Sequence, residues 1–182
     1  MRVFIALRPD RELLNGILKK MELLKEKYPD FRWVSKENLH VTLAFLGETD
    51  SGFLPAIEET VKPLAHSGAI LASGDRLFTL PRGRAANVAA LGFGKGGDLI
   101  ADLAEKLMKN LADHGILSNG SEKKFTPHIT LARRGRTDLY IEKDDLLMDI
   151  TGNMESVVIF ESRLFSSGAV YSELAVFPLA AN

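Results

Sequence analysis

The sequence His-Val-Thr-Leu-Ala at residues 40–44 occurs a second time, almost unchanged, as His-Ile-Thr-Leu-Ala at residues 128–132. The two copies lie 88 residues apart, close to half of the 182-residue chain. Each copy follows a helical pattern and a polar turn, which indicates a duplicated structural unit. The repeat therefore predicts a single domain, residues 1–182, made of two pseudo-symmetric lobes that each contribute one His-x-Thr-Leu motif.

Both copies are typical of β-strands, in which successive side chains point to opposite faces. His40 and Thr42 should therefore share one face, and His128 and Thr130 should do the same. The apolar residues between them should point into the core. Two such strands facing each other would bring two imidazoles and two hydroxyl groups into one site.

This set of groups suits displacement at phosphorus. A neutral imidazole can take a proton from an attacking water, and a protonated imidazole can give one to the leaving oxygen. Histidine fits both roles because its ordinary pKa lies near ~6.5. The threonine hydroxyls can donate to the non-bridging phosphate oxygens, where charge develops. The scheme uses neither a metal nor a cofactor.

A single histidine on a strand is more often a structural hydrogen-bonding residue, and threonine is common in strands. The repeated pair favours catalysis over that alternative for His40 and His128. The other two histidines, His66 and His114, lack the pattern and lie near predicted helix C-termini. A positive charge is favoured there, so we interpret them as surface or capping residues.

The rest of the chain alternates between strand and helix patterns, with several strand pairs that read as antiparallel. This predicts an α+β fold. Pro81 to Arg84 and Ser118 to Lys124 read as loops. The predicted strands are 2–7, 31–34, 39–46, 70–80, 87–93, 125–133, 156–165 and 169–177, and the predicted helices are 10–28, 53–66, 98–114 and a short one at 140–147.

Composition narrows the functional classes. The chain has no cysteine, which excludes disulfides, thiolate metal sites and cysteine nucleophiles and suits a reducing cytoplasm. The formal net charge of -1 argues against a protein that coats nucleic acid, so any RNA should be held by a local patch. The apolar N-terminal run is too short for a signal peptide or a membrane span. We expect a cytoplasmic monomer that does not bind membranes.

Three segments closely resemble the 2H phosphoesterase superfamily: Arg-Trp-Val at 32–34, Glu-Asn-Leu-His-Val-Thr-Leu-Ala-Phe-Leu-Gly at 37–47, and Phe-Thr-Pro-His-Ile-Thr-Leu-Ala-Arg at 125–133. Within the superfamily the sequence is similar to the RNA 2',3'-cyclic phosphodiesterases, also called 2'-5' RNA ligases. The resemblance runs nearly end to end, from residues 2–7 to residues 162–179.

The resemblance implies a bilobal fold of two mainly antiparallel sheets, with outer helices around a central cleft. It also implies that the partner is RNA with a 2',3'-cyclic phosphate end, hydrolysed to a 2'-phosphate. By position, His40 becomes the proton donor to the leaving 3'-oxygen and His128 the base that activates water. Thr42 and Thr130 become phosphate-binding residues.

Several residues near the motifs allow two interpretations. Arg133 directly follows the second motif and either holds a phosphate or is a surface charge at the strand end. Phe45 either stacks on a base or packs in the core, and strand alternation favours the core. The roles of Arg82 and Arg84 stay open between the mouth of the cleft and a solvated loop.

Two alternative functions are compatible with these motifs. A ligase forming 2'-5' linkages would use the same site in reverse. A protein that binds RNA ends without catalysis is also possible, but two intact proton-carrying motifs argue against it because binding alone does not need them.

Overall fold

The structure is a computed structural model that describes residues 1–81, 86–117, 125–136, 139–165 and 168–180. The segment containing Arg82 and Arg84, the predicted loop at 118–124, and Ser166 lie outside the described residues. The first helix illustrates how the chain folds locally. Asp10 caps it by accepting a hydrogen bond from the backbone of Leu13, and its buried residues recur at helical spacing.

Three α-helices and eight β-strands make up the described part of the chain. The helices are α1 (Arg11–Lys27), α2 (Leu54–Val61) and α3 (Gly97–Asp113). The strands are β1 (Arg2–Pro9), β2 (Arg32–Trp33), β3 (Val41–Glu48), β4 (Ile70–Leu80), β5 (Val88–Phe93), β6 (His128–Arg133), β7 (Leu147–Phe165) and β8 (Gly168–Pro178). Short 3₁₀ segments cover Lys36–Asn38, Ser51–Phe53, Lys62–Ser67 and Lys143–Leu146.

Most elements agree with the sequence prediction, and the α+β class with mainly antiparallel pairing is confirmed. Four predictions were wrong, one of them the strand predicted from residue 125, which begins at His128. The helix predicted over 53–66 changes to a 3₁₀ segment at Lys62, since Pro63 cannot supply a helical hydrogen bond. The helix predicted over 140–147 is only a 3₁₀ turn. The strand predicted from residue 156 begins at Leu147.

The strands form two groups that share β7. The order is β1-β3-β6-β5-β4-β7-β8, β2 pairs with β6, and β1 also pairs with β7. Residues 147–154 of β7 pair with β4, and residues 154–162 pair with β1 on one side while β8 pairs on the other. Six strands thus form a closed circuit in which every described pairing is antiparallel.

The two groups also meet where β3 runs beside β6. Among the described residues these strands pair at one position, Val41 with Ile129. Two strands that pair so briefly diverge on either side of the contact and leave a cleft between the groups. Both histidine motifs lie at this junction. The relation of the two groups by a pseudo-two-fold axis stays a prediction.

The main core lies between the strands and the helices. Helix α1 packs closely on β7, where Gly152 leaves no room for a side chain because an added Cβ would lie 2.6 Å from the backbone nitrogen of Leu13. A second, smaller cluster of Phe4, Ala6, Val158 and Phe160 lies apart from the main core, and Tyr171 packs against it.

Candidate active site

The two motifs open onto one cleft of about 890 Å³. Continuing the register of Val41 and Ile129 by one residue sets His40 opposite Thr130, and Thr42 opposite His128. Residues opposite each other in an antiparallel pair share a face, so the four side chains alternate across the junction. All four line the cleft, as the sequence predicted from strand alternation.

His40 is largely enclosed by aromatic rings. The ring centroids of Phe4, Tyr171 and Phe160 lie 5.1, 5.6 and 5.9 Å from that of His40. Its Nε2 shares a hydrogen bond of 3.2 Å with Oγ1 of Thr42. Its Nδ1 is buried and reaches no hydrogen-bond partner of ordinary geometry among the described residues.

This environment lowers the pKa of His40 from 6.5 to about 4. Burial is the largest cause because it disfavours the charged ring. Electrostatic interactions with Arg133 and His128 act in the same direction, whereas the backbone of Asn38 favours the protonated ring. With this pKa, His40 is neutral at physiological pH.

His128 is held differently. Its Nδ1 lies 2.7 Å from the carbonyl oxygen of Thr126. Because a carbonyl only accepts, the Nδ1–H must donate, and the neutral ring therefore carries its proton on Nδ1. The unprotonated Nε2 is then available to accept a proton in the cleft. The side chain is only partly buried.

A β-bulge follows each motif threonine and changes which residues face the cleft. In β3, Ala44 pairs with Ile5 and Thr42 pairs with Ala6, so Leu43 has no opposite residue. In β6, Ala132 pairs with Ala89 and Thr130 pairs with Ala90, which leaves Leu131 as the extra residue. A bulge adds one residue to a strand and reverses the alternation beyond it.

The bulges correct two sequence-based expectations about strand faces. Simple alternation placed Phe45 in the core, but this residue is 74% exposed and lines the cleft. Alternation also pointed Arg133 away from His128, yet Arg133 lines the cleft too. The fifth residue after each histidine thus reaches the site, an aromatic ring from β3 and a guanidinium from β6.

Other lining residues were missed or left aside at the sequence level. Arg32 and Asn38 line the cleft without having been considered as site residues, and Ser162 and Tyr171 reach it from β7 and β8. Trp33 is half-buried and also lines the cleft. The repeat could not reveal these residues because they belong to other strands and loops.

The cleft is electrostatically suited to an anion. Two arginines and two histidines line it, and none of the described lining residues carries a carboxylate.

The described residues contain no group of three or more side chains that could hold a metal ion. They also include no helix long and apolar enough to cross a membrane.

Comparison with known proteins identifies the class. Residues 8–82 match the model of the LigT like Phosphoesterase family. A crystal structure from Thermus thermophilus superposes with a TM-score of 0.85 at 25% identity, covering 100% of this chain and 99% of that one. Escherichia coli LigT complexed with 3'-AMP superposes at 0.76 with 24% identity over 98% and 97% of the two chains, which shows the same fold. The fold is therefore that of the 2H phosphoesterase superfamily.

Curated relatives narrow the class further. The RNA 2',3'-cyclic phosphodiesterase of Thermotoga maritima is 31% identical over 96% of this chain and 93% of its own length. The protein of the same name from Methanothermobacter thermautotrophicus is 28% identical over 98% of both chains. This chain belongs to the RNA 2',3'-cyclic phosphodiesterase family.

Proposed function

We propose that this protein hydrolyses the terminal 2',3'-cyclic phosphate of RNA to a 2'-phosphomonoester, with His40 and His128 as its acid–base pair. The observation that carries the proposal is the opening of both His-x-Thr pairs onto one cleft whose described lining has cations and no carboxylate. The family relationship supplies the substrate class, because the curated relatives are named for this reaction.

The proposed step is a displacement at phosphorus. A water oxygen bonds to phosphorus while the bond from phosphorus to the 3'-oxygen breaks. His128 takes the proton of the water on Nε2, and the hydrogen bond from Nδ1 to Thr126 supports this role by fixing the tautomer. Protonated His40 gives its proton to the departing 3'-oxygen, and the phosphate remains on the 2'-oxygen.

Three further side chains act on the phosphate. The hydroxyls of Thr42 and Thr130 donate to its non-bridging oxygens, and Arg133 adds positive charge on the same face of β6. Hydroxyl and guanidinium donors fixed before the substrate arrives stabilise developing charge without reorganising. No step of this scheme passes through a metal ion.

The low pKa of His40 bears directly on its role as donor, because a donor must be protonated. A bound phosphate anion beside the ring favours the imidazolium and opposes the effects of burial, Arg133 and His128. We therefore propose that substrate binding raises the pKa of His40 and protonates it. The reverse reaction, ligation to a 2'-5' linkage, would exchange the roles of the two histidines at the same site.

The test is product analysis with an oligonucleotide that ends in a 2',3'-cyclic phosphate, in buffer containing EDTA. We expect a 2'-phosphate from the wild-type protein and none from His40→Ala or His128→Ala, both of which should remain folded. His114→Ala is the matched control, because this histidine binds its own helix through Asn110. A joined strand would indicate ligation. Loss of turnover in EDTA that a divalent ion restores would contradict the metal-free scheme.

We also propose that the protein works as a monomer in the cytoplasm. The absence of cysteine suits a reducing compartment. Light scattering with size-exclusion chromatography tests the monomer, and cell fractionation tests the location.

A further inference from the structure

Arg32 and Arg133 form an arginine pair in the cleft. They are direct partners in the antiparallel pairing of β2 with β6, so their side chains share a face, and both line the cleft. Like charges directly opposite each other destabilise a strand pair. No ion pair of either residue is found among the described residues, and the described cleft lining offers no carboxylate.

Arg32 is also oriented by the protein. Its Nε donates a hydrogen bond of 2.9 Å to the carbonyl oxygen of Arg134. This bond uses one donor of the guanidinium and leaves the two terminal nitrogens available. A guanidinium fixed in this way presents its donors in a planar arrangement that suits phosphate oxygens.

The cationic groups follow one another along β6 and β2. His128 and Thr130 lie at the start of β6, and Arg133 lies at its end. Arg32 pairs with Arg133 across β2 and β6, so it too lies at the end of β6 away from His128. Arg32 therefore lies beside Arg133 in the cleft.

Resting on the proposed function, we infer that Arg32, with Arg133 beside it, binds a second phosphate of the substrate, the one attached to the 5'-oxygen of the terminal ribose. In RNA with a cyclic phosphate end, that group is the phosphate adjacent to the reacting one. The site therefore selects an RNA chain end over a free nucleoside 2',3'-cyclic phosphate. The bound phosphate also offsets the repulsion between the two arginines, which face each other.

The test compares two substrates that differ by one phosphate, adenosine 2',3'-cyclic phosphate and its 5'-phosphorylated form. We expect kcat/KM to be roughly 10-fold or more higher for the 5'-phosphorylated compound, as for a charge-assisted hydrogen bond. Arg32→Gln should reduce this ratio to near one through its effect on the 5'-phosphorylated compound. Lys36→Gln is the matched control, because Lys36 is an exposed cation nearby that does not line the cleft.

The outcomes separate the two proposals. If wild-type protein hydrolyses both compounds equally well, the second phosphate site is refuted and the proposed function stands. If the cyclic-phosphate oligonucleotide is hydrolysed but neither compound is, the inference is refuted and the proposed function stands. If the oligonucleotide is not hydrolysed either, both proposals fail. Equal losses for both compounds in Arg32→Gln, or an equal fall of the ratio in Lys36→Gln, would also refute a specific site. Unfolding curves confirm that each variant is folded.

Discussion

Protonation of His40 should make the folded protein less stable as the pH falls from about 6.5 to 4. Burial among aromatic rings, with help from Arg133 and His128, lowers the pKa of His40 in the folded state to about 4. In the unfolded chain the ring regains an ordinary pKa near ~6.5. Between these values the unfolded chain binds more protons than the folded one. Acidification therefore favours unfolding, and the stability is fully present above pH 6.5.

The magnitude follows from the size of the shift. At about 1.4 kcal/mol per pKa unit, the whole effect is roughly 3 kcal/mol, of which about 2 kcal/mol is lost by pH 5. This is a large share of the ~5–15 kcal/mol by which domains are usually stable. Because His40 is mostly buried, solvent screening reduces the effect only slightly.

The assay is urea unfolding of the wild-type protein and His40→Gln between pH 7.5 and 5 in phosphate-free buffer. The wild type should lose about 2 kcal/mol more than His40→Gln over this range. His114→Gln serves as the control and should follow the wild type. Parallel pH profiles for the wild type and His40→Gln, or a His40 NMR titration with a midpoint near 6.5, would refute the reasoning.

The site and the core allow three other tests. Saturating 2'-AMP should raise the NMR-measured pKa of His40 by at least one unit, because a phosphate anion favours the imidazolium; an unchanged midpoint would contradict His40 as the donor. Phe45→Ala should raise KM severalfold for a cyclic-phosphate oligonucleotide with little change in unfolding free energy, since the ring is 74% exposed; a loss of stability above ~1 kcal/mol would instead indicate a packing role. Gly152→Ala should cost about 1–3 kcal/mol in urea unfolding because its Cβ would meet the backbone of Leu13, whereas Gly115→Ala, which has open space but a positive φ, should cost less.

Strand alternation correctly predicted which strand face the histidine and threonine of each motif occupy. It failed for the residues that follow the threonine. His40, Thr42, His128 and Thr130 face the cleft because only one residue separates each pair, and the period of two holds over that distance. The bulges reverse the alternation from the next residues onward. The pairing with β1 and β5 establishes the bulges, and the sequence of a single strand carries no clear sign of them.

The remaining differences between prediction and structure involve contacts between residues that are far apart in the sequence. Residues 147–155 of β7 alternate in burial, but Asp149 and Gly152 are residue types that strands disfavour, and Gly152 takes a buried position without an apolar side chain. Arg32 could not be recognised because its significance comes from the pairing of β2 with β6. The sequence thus predicted the fold class and the two histidines and two threonines that line the cleft, whereas tertiary pairing determined the extent of the site.

The position of β7 has a consequence for how the protein is made. This strand completes both strand groups, yet it begins only at residue 147, in the last fifth of the 182-residue chain. Its partner β1 was synthesised first, so their pairing must close a loop of well over a hundred residues. Proteins with such distant pairings fold slowly. A ribosome-bound chain that lacks its C-terminal fifth therefore leaves both strand groups open, and its unpaired strand edges need protection until synthesis ends.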